Sequence, residues 1–215
     1  EKINIDMYDK DDNTNKETDV MKDETNMNVS GHILIRDKET GEELVNKRNA
    51  IHYGNLGALI AAGLQNQSNK IIHFMAFGNG GSSVDSSGTV LYKAPNTSES
   101  TETTASLFNE TFSKVVSSTS SNNDTANNKI ELTSGTNYTD LKITCTLGLS
   151  EPSGQENFDT ATNQNSNFIF DELGLKGFAT SSNNAELLTH VIFHPVQKSL
   201  NRVIEIVYTV RIQLS

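Results

Sequence analysis

Tryptophan is absent from the chain, and only five tyrosines occur among its 215 residues. Carbohydrate-binding surfaces usually present aromatic platforms, so this scarcity disfavours a carbohydrate-binding or receptor-binding module. Cysteine is also scarce, because the single residue Cys145 excludes an intrachain disulfide framework. Cys145 lies in an alternating strand pattern, and we predict that it is a small buried hydrophobic residue.

Positive charge is scarce too. The formal net charge is −10, and no cluster of basic residues is longer than Lys47-Arg48. A phosphate backbone would be repelled by such a chain, and so would an anionic membrane surface. Apolar runs are far shorter than the roughly 20 residues that a membrane-spanning helix needs. We therefore expect neither nucleic acid nor membrane as a direct partner.

Recognisable catalytic motifs are missing, since neither a GxSxG elbow nor an HExxH sequence occurs. Asp171 and Glu172 are neighbours on a predicted strand and would project to opposite faces, which is poor geometry for an acid–base pair. His190 and His194 would lie about 13 Å apart on a strand, too far to share one metal ion. The acidic stretch from Asp9 resembles the start of a calcium loop but lacks its glycine and its final glutamate. We predict no catalytic residue, cofactor or metal.

Apolar residues make up only 34% of the chain, which is below the usual share in globular proteins. Two polar tracts account for much of this difference. Residues 1–30 hold nine acidic and four basic residues, so we predict an acidic arm that packs on a neighbouring subunit. In residues 96–137 more than half of the side chains are Ser, Thr or Asn, which predicts a long loop or arm. Within this tract the apolar positions of residues 107–116 fit a short helix, with a strand as the alternative.

Alternating apolar and polar residues predict strands through the rest of the chain. Residues 31–37 and 44–45 form a hairpin across the Thr40-Gly41 turn, and the strand over 187–193 is ended by His194-Pro195. The sequence predicts a mainly β protein, an antiparallel β-sandwich-like domain over residues 31–215. The further predicted strands cover residues 71–77, 141–149, 168–175 and 204–214.

One short helix interrupts this pattern. Over Tyr53–Leu64 the spacing of the apolar residues changes to that of a helix. We expect this helix to pack on the sheet by one apolar face. Asn49 or Asn55 can cap its first turn. The face at helical spacing consists of Leu56, Leu59, Ile60, Gly63 and Leu64.

A glycine-rich turn, Gly78-Asn79-Gly80-Gly81, follows the strand over residues 71–77. Consecutive glycines allow positive φ and let another backbone come close. The turn matches neither phosphate-binding pattern, and no helix follows it, so we predict a structural role instead of nucleotide binding. We expect a neighbouring backbone to approach it.

Six short segments follow one another in a characteristic order along residues 31–215: Thr40-Gly41-Glu42, Asn49-Ala50-Ile51-His52-Tyr53, Phe77-Gly78-Asn79-Gly80-Gly81, Leu107-Phe108-Asn109-Glu110, Phe170-Asp171-Glu172-Leu173-Gly174-Leu175 and Phe193-His194-Pro195-Val196-Gln197-Lys198. This order resembles that of virion structural proteins of tailed bacteriophages. The resemblance implies a β-sandwich-like subunit that works by assembly in the neck or collar, in the tail or on the capsid surface.

The function expected from this resemblance is non-enzymatic. The subunit would form a homo-oligomeric ring or cluster through sheet edges and arms, contact other virion proteins and reside in a virion assembled in the host cytoplasm. Its position would be the neck, collar or tail, with capsid decoration or a fibre-borne receptor-binding module as alternatives and an enzyme as a third class. The candidate subunit contacts are Phe108, Phe112, Val115, Gly78, Asn79, Gly80 and Gly81.

Overall fold

A computed structural model describes residues 26–67, 70–97, 105–153 and 169–214 of the chain. Most of the predicted acidic arm, residues 1–25, lies outside the described residues. So do residues 98–104, within the predicted polar loop, and residues 154–168.

The fold is mainly β, with two five-stranded antiparallel sheets packed face to face and one α-helix. The first sheet is built on long strands from the two ends of the described chain. Its order in space is β2 (Glu43–Arg48), β1 (Met27–Asp37), β12 (Ile204–Leu214), β9 (Tyr138–Leu147) and β8 (Lys129–Ser134). The predicted hairpin is confirmed as the β1–β2 pair, and β1 includes residues 27–30 of the predicted arm.

The second sheet packs on the inner face of the first. Its order in space is β3 (Ala50–Ile51), β11 (Thr189–Gln197), β10 (Ile169–Gly177), β4 (Ile72–Gly78) and β7 (Glu110–Val115). A separate hairpin joins β5 (Ser82–Val84) to β6 (Val90–Tyr92).

The core lies between the two sheets. Ile33, Tyr208 and Ile143 are paired across β1, β12 and β9, and all three are fully buried. From the second sheet Phe77 and Leu173 complete the same apolar cluster. Cys145 is also fully buried there, which confirms its predicted role.

The helix α1 (Tyr53–Leu64) has the predicted bounds but a different cap and a smaller contact surface. His52, and neither Asn49 nor Asn55, caps it, because the His52 Nδ1 accepts a hydrogen bond from the Asn55 backbone N–H at 3.2 Å. Leu56 is buried, whereas Leu64 is 87% exposed. The helix therefore packs through its first two turns, where Leu59 is half-buried against the core, while Leu64 at its end faces solvent. No described helix has the length and apolar character needed to cross a membrane.

Two strand predictions need correction. The apolar residues around Phe112 form the strand β7 instead of a short helix, because β4 offers them a partner along its free edge. Strand β11 does not end at His194-Pro195 but continues to Gln197. The pairing of β10 with β11 shifts register between Phe170 and Glu172, and Pro195 lies in that irregular stretch, where no ladder hydrogen bond is needed from its nitrogen.

Candidate functional site

The buried carboxylate of Glu172 holds three segments of the chain together. Its Oε1 accepts hydrogen bonds from the backbone N–H groups of Gly80 at 3.0 Å and Asn109 at 2.8 Å. Its Oε2 accepts the Phe108 N–H at 2.9 Å and the His190 Nε2–H at 3.0 Å. The glycine-rich turn, the segment before β7 and strand β11 thus meet at one carboxylate.

The tautomer of His190 follows from its second partner. Its Nδ1 accepts the backbone N–H of Asn96 at 2.8 Å, so the ring proton is on Nε2 and is donated to Glu172. Burial alone would raise the pKa of Glu172. The hydrogen bonds from His190 and from the backbone of Asn109, Phe108 and Gly80 outweigh it and hold this pKa below its ordinary value.

Asp171 binds the other end of the same turn. Its Oδ1 accepts the Gly81 N–H at 2.9 Å, and its Oδ2 accepts the Ser82 N–H at 2.7 Å and the Ser82 hydroxyl at 2.5 Å. We predicted that Asp171 and Glu172 project away from each other, whereas both carboxylates converge on one turn. The register shift beside Glu172 accounts for the difference, because a bulge re-aims side chains.

The turn and its two carboxylates form a unit that we call the carboxylate clasp, made of residues 78–82, 108–109, 171 and 172. The N–H groups of Gly80, Gly81 and Ser82, which a bound phosphate would need, are taken by the chain's own carboxylates. The carboxylates of Asp171 and Glu172 therefore occupy the place that an external anion would take. The clasp holds segments of the same chain together.

Close backbone approach at the glycines is confirmed, and the approaching backbone is the chain's own. A Cβ placed on Gly78 would lie 2.4 Å from the Asn109 carbonyl oxygen, and one on Gly80 would lie 2.8 Å from the Asn109 nitrogen. Positive φ is not the reason for these glycines, since among the described glycines only Gly41 and Gly88 adopt it. Their small size is what the clasp requires.

A polar cleft of about 630 Å³ lies at the other side of β7. The Lys114 Nζ donates to the Thr146 carbonyl at 2.7 Å and pairs with Glu151 at its wall. The buried hydroxyl of Thr146 has no hydrogen-bond partner among the described residues. Amide, hydroxyl and charged groups thus face a space large enough for a small polar molecule. The lining includes Asn122, Asp124, Asn127, Asn128 and Phe112.

Two buried lysines are further features that sequence reasoning missed. Lys176 pairs with Glu110 at 2.9 Å. Lys198 donates to the Ser199 carbonyl at 2.9 Å, and burial lowers its pKa to about 8 although nearby Glu151 opposes the shift. The pairing of Lys176 has no local sequence signal, because Glu110 lies on β7, 66 residues away along the chain.

The first sheet extends beyond the second, so among the described residues nothing packs over part of its inner face. Residues two apart on a strand share a face, and along β1 burial decreases from Ile33, which is fully buried, through Val29 to Met27, which is 53% exposed. Leu214 pairs with Met27 and is equally exposed. Leu132 on β8 is 69% exposed. We call this surface the open inner face, consisting of Met27, Val29, Leu132, Leu141, Ile212 and Leu214.

The sequence-predicted contact residues divide between the clasp and the cleft. Gly78, Asn79, Gly80, Gly81 and Phe108 lie together in or beside the clasp. Phe108 is partly exposed, with the Lys93 ammonium 4.4 Å above its ring centre. The other two, Phe112 and Val115, are half-buried on β7 and line the cleft.

By its fold this protein is an antiparallel β-sandwich, and it carries the carboxylate clasp, the polar cleft and the open inner face. Comparisons with protein-family models, curated proteins and solved structures find no match to the chain. Among the described residues, no group of three or more His, Cys, Asp or Glu side chains could hold a metal ion.

Proposed function

We propose that this chain is a non-enzymatic structural subunit of a tailed-phage particle, assembling with copies of itself into a ring or cluster at the neck, collar or tail. The observation that carries the proposal is the open inner face. Met27, Leu132 and Leu214 expose half or more of their surface on strands that elsewhere build the core. A contiguous apolar face of this kind is typical of a protein–protein interface.

Edge strands supply a second kind of contact. Strand β8 forms one edge of the first sheet, and along it every residue except the half-buried Ile130 is exposed. Its free backbone groups can pair with an extended segment of another subunit. These surfaces suit a protein that gains order and stability from neighbours.

The test is to measure self-association and position in the particle. We expect the purified chain to form a discrete oligomer in light scattering, and antibody raised against it to decorate one site on phage particles that encode it. Sixfold or twelvefold rings would assign it to the neck or tail, and trimers on a lattice would assign it to capsid decoration. A chain that is monomeric at all concentrations and absent from purified particles would refute the proposal.

A glycan-binding module is the second candidate, and the polar cleft is the observation that favours it. Its amide and carboxylate side chains, with Phe112 alongside, are groups that bind sugar hydroxyls and ring faces. A glycan array tests this candidate. Binding that is lost in Asn122→Ala and Asp124→Ala, and kept in Leu91→Ala on the distant hairpin, would support it, whereas no binding to any glycan would exclude it.

A further inference from the structure

The open inner face has a specific shape that limits what can cover it. It continues the alternation of the core strands for two more positions on β1 and β12, from Gly31 and Val210 outward to Met27 and Leu214. Beside them, Leu141 on β9 pairs with Leu132 on β8. An extended segment with apolar residues at every second position would fit this surface, because the strands of the second sheet pack on the buried part of the first sheet in the same way.

One such segment lies in the chain itself, outside the described residues. Residues 3–7 read Ile-Asn-Ile-Asp-Met, so Ile3, Ile5 and Met7 alternate with polar residues. This segment precedes Met27, the residue at which β1 begins on the open inner face. The intervening residues 8–26 can span at most roughly 60 Å when extended, enough to reach a neighbouring subunit.

We propose that Ile3, Ile5 and Met7 of one copy pack on the open inner face of a second copy. This inference rests on the proposed self-assembly and names the two surfaces that carry it. Between the two apolar parts, residues 9–24 hold seven acidic and three basic residues. A linker with such net charge favours extension by self-repulsion, and an extended linker lets the apolar segment reach a neighbouring copy.

The inference is tested in the full-length chain with two sets of charge substitutions. One set, Ile3→Asp with Ile5→Asp, alters the arm, and the other, Leu132→Asp with Leu214→Asp, alters the face. We expect each set to weaken self-association by at least about tenfold, and the combination to weaken it no further, because both sets remove the same contact. Light scattering across protein concentration measures the change.

Matched controls separate this contact from other causes. Val84→Asp with Leu91→Asp places the same charges on exposed apolar residues of the β5–β6 hairpin and should leave the oligomer unchanged. Thermal unfolding checks that each variant remains folded, which we expect because the substituted face residues are largely solvent-exposed. A labelled peptide of residues 1–10 should bind the arm variant, whose face is free, and should not bind the face variant.

The outcomes distinguish this inference from the function on which it rests. An oligomer that persists in both the arm and the face variants would overturn the arm-to-face contact while leaving self-assembly intact. A wild-type chain that is monomeric throughout would remove the proposed assembly. If the labelled peptide nevertheless binds the face in that case, the arm covers its own domain, and exchange between copies is refuted.

Discussion

At the scale of single residues, Glu172 is the side chain whose hydrogen bonds join three segments of the chain. It is fully buried and accepts four hydrogen bonds, from Gly80, Phe108, Asn109 and His190. A buried carboxylate satisfied in this way is stabilising only while every partner remains in place. The three segments that it joins therefore lose their common anchor together if the carboxylate is altered.

The first prediction concerns removal of this charge. Glu172→Gln should lower the free energy of unfolding by about 3 kcal/mol, because an amide group cannot accept all the bonds that the carboxylate accepts and leaves buried donors unpaired. Urea unfolding measures the change. Glu131→Gln on the exposed strand β8 is the control and should change stability by less than about 0.5 kcal/mol. Equal effects of the two substitutions would contradict the anchoring role.

The same residue sets a pH dependence. The pKa of Glu172 is lower in the folded chain than its ordinary value, so its contribution is fully present above the ordinary glutamate pKa of about 4.3 and is lost as pH falls through the folded pKa. The stability difference between the wild-type chain and Glu172→Gln should therefore shrink in acid. A difference that stays constant from neutral pH to the acid transition would argue against this assignment.

The residue-scale features were the hardest to predict from sequence. The strand that carries Asp171 and Glu172 was predicted, but their partners were not. Gly80 is 92 residues away from Glu172, and Asn109 is 63 residues away. Hydrogen bonds over such separations have no local pattern, whereas the small size required at the turn is visible in its run of glycines.

At the scale of elements, the turn between β4 and β5 and the start of β7 form one packed joint. Gly80 faces the Phe108 Cβ and the Asn109 backbone nitrogen, both 2.8 Å from where its own Cβ would be. Backbone atoms cannot move aside as the end of a long side chain can. Any side chain larger than hydrogen must therefore displace the start of β7.

The second prediction follows from this joint. Gly80→Ala should destabilise the chain by about 2 kcal/mol, since the added methyl group overlaps backbone atoms. Gly57→Ala is the matched control, because that glycine lies in the exposed part of α1 with nothing within 4 Å of an added Cβ. There the substitution should stabilise by about 0.5–1 kcal/mol through helix propensity and chain entropy. Thermal or urea unfolding distinguishes the two signs.

Elements with a strong local period were predicted well, and elements that depend on a partner were not. The bounds of α1 followed from its helical spacing, and β12 followed from strict alternation. The apolar steps around Phe112 were compatible with a helix, and only the free edge of β4 makes them the strand β7. Likewise, the irregular pairing of β10 with β11, which accommodates Pro195, depends on two strands and could not be read from either one alone.

At the scale of the whole molecule, the face-to-face packing of two sheets encloses the main hydrophobic core. Cys145 lies in that core with no exposed surface, and burial raises the pKa of its thiol to about 12. A thiolate is the reactive form, so neither access nor ionisation permits reaction in the folded state. Reaction of this thiol thus reports opening of the sandwich as a whole.

The third prediction uses this residue as a probe. Labelling of Cys145 by a disulfide reagent at pH 8 should be at least about 100-fold slower in the native chain than in urea, because it requires global opening. Ser86→Cys on the exposed β5–β6 hairpin provides a second thiol in the same molecule and should react at once. Rapid labelling of both thiols in the folded variant would contradict a closed core.

The class of the fold could be predicted from alternation, because one buried face imposes a period of two on every strand. The order of strands could not, since β1 lies beside β12 at opposite ends of the described chain. The open inner face was also invisible in the sequence. Its residues have the same pattern as the core, and in the described part of the chain they differ only in lying beyond the strands of the second sheet.

The position of β12 has a consequence for how the protein is made. Arg36 and Glu205 face each other across β1 and β12 although 169 residues separate them. During synthesis the β1–β2 hairpin leaves the ribosome long before β12 exists, at a rate of about 5–20 residues per second. For roughly ten seconds or more, the edge of β1 that pairs with β12 in the folded chain therefore remains unpaired. Nascent chains should therefore depend on chaperone protection in this interval.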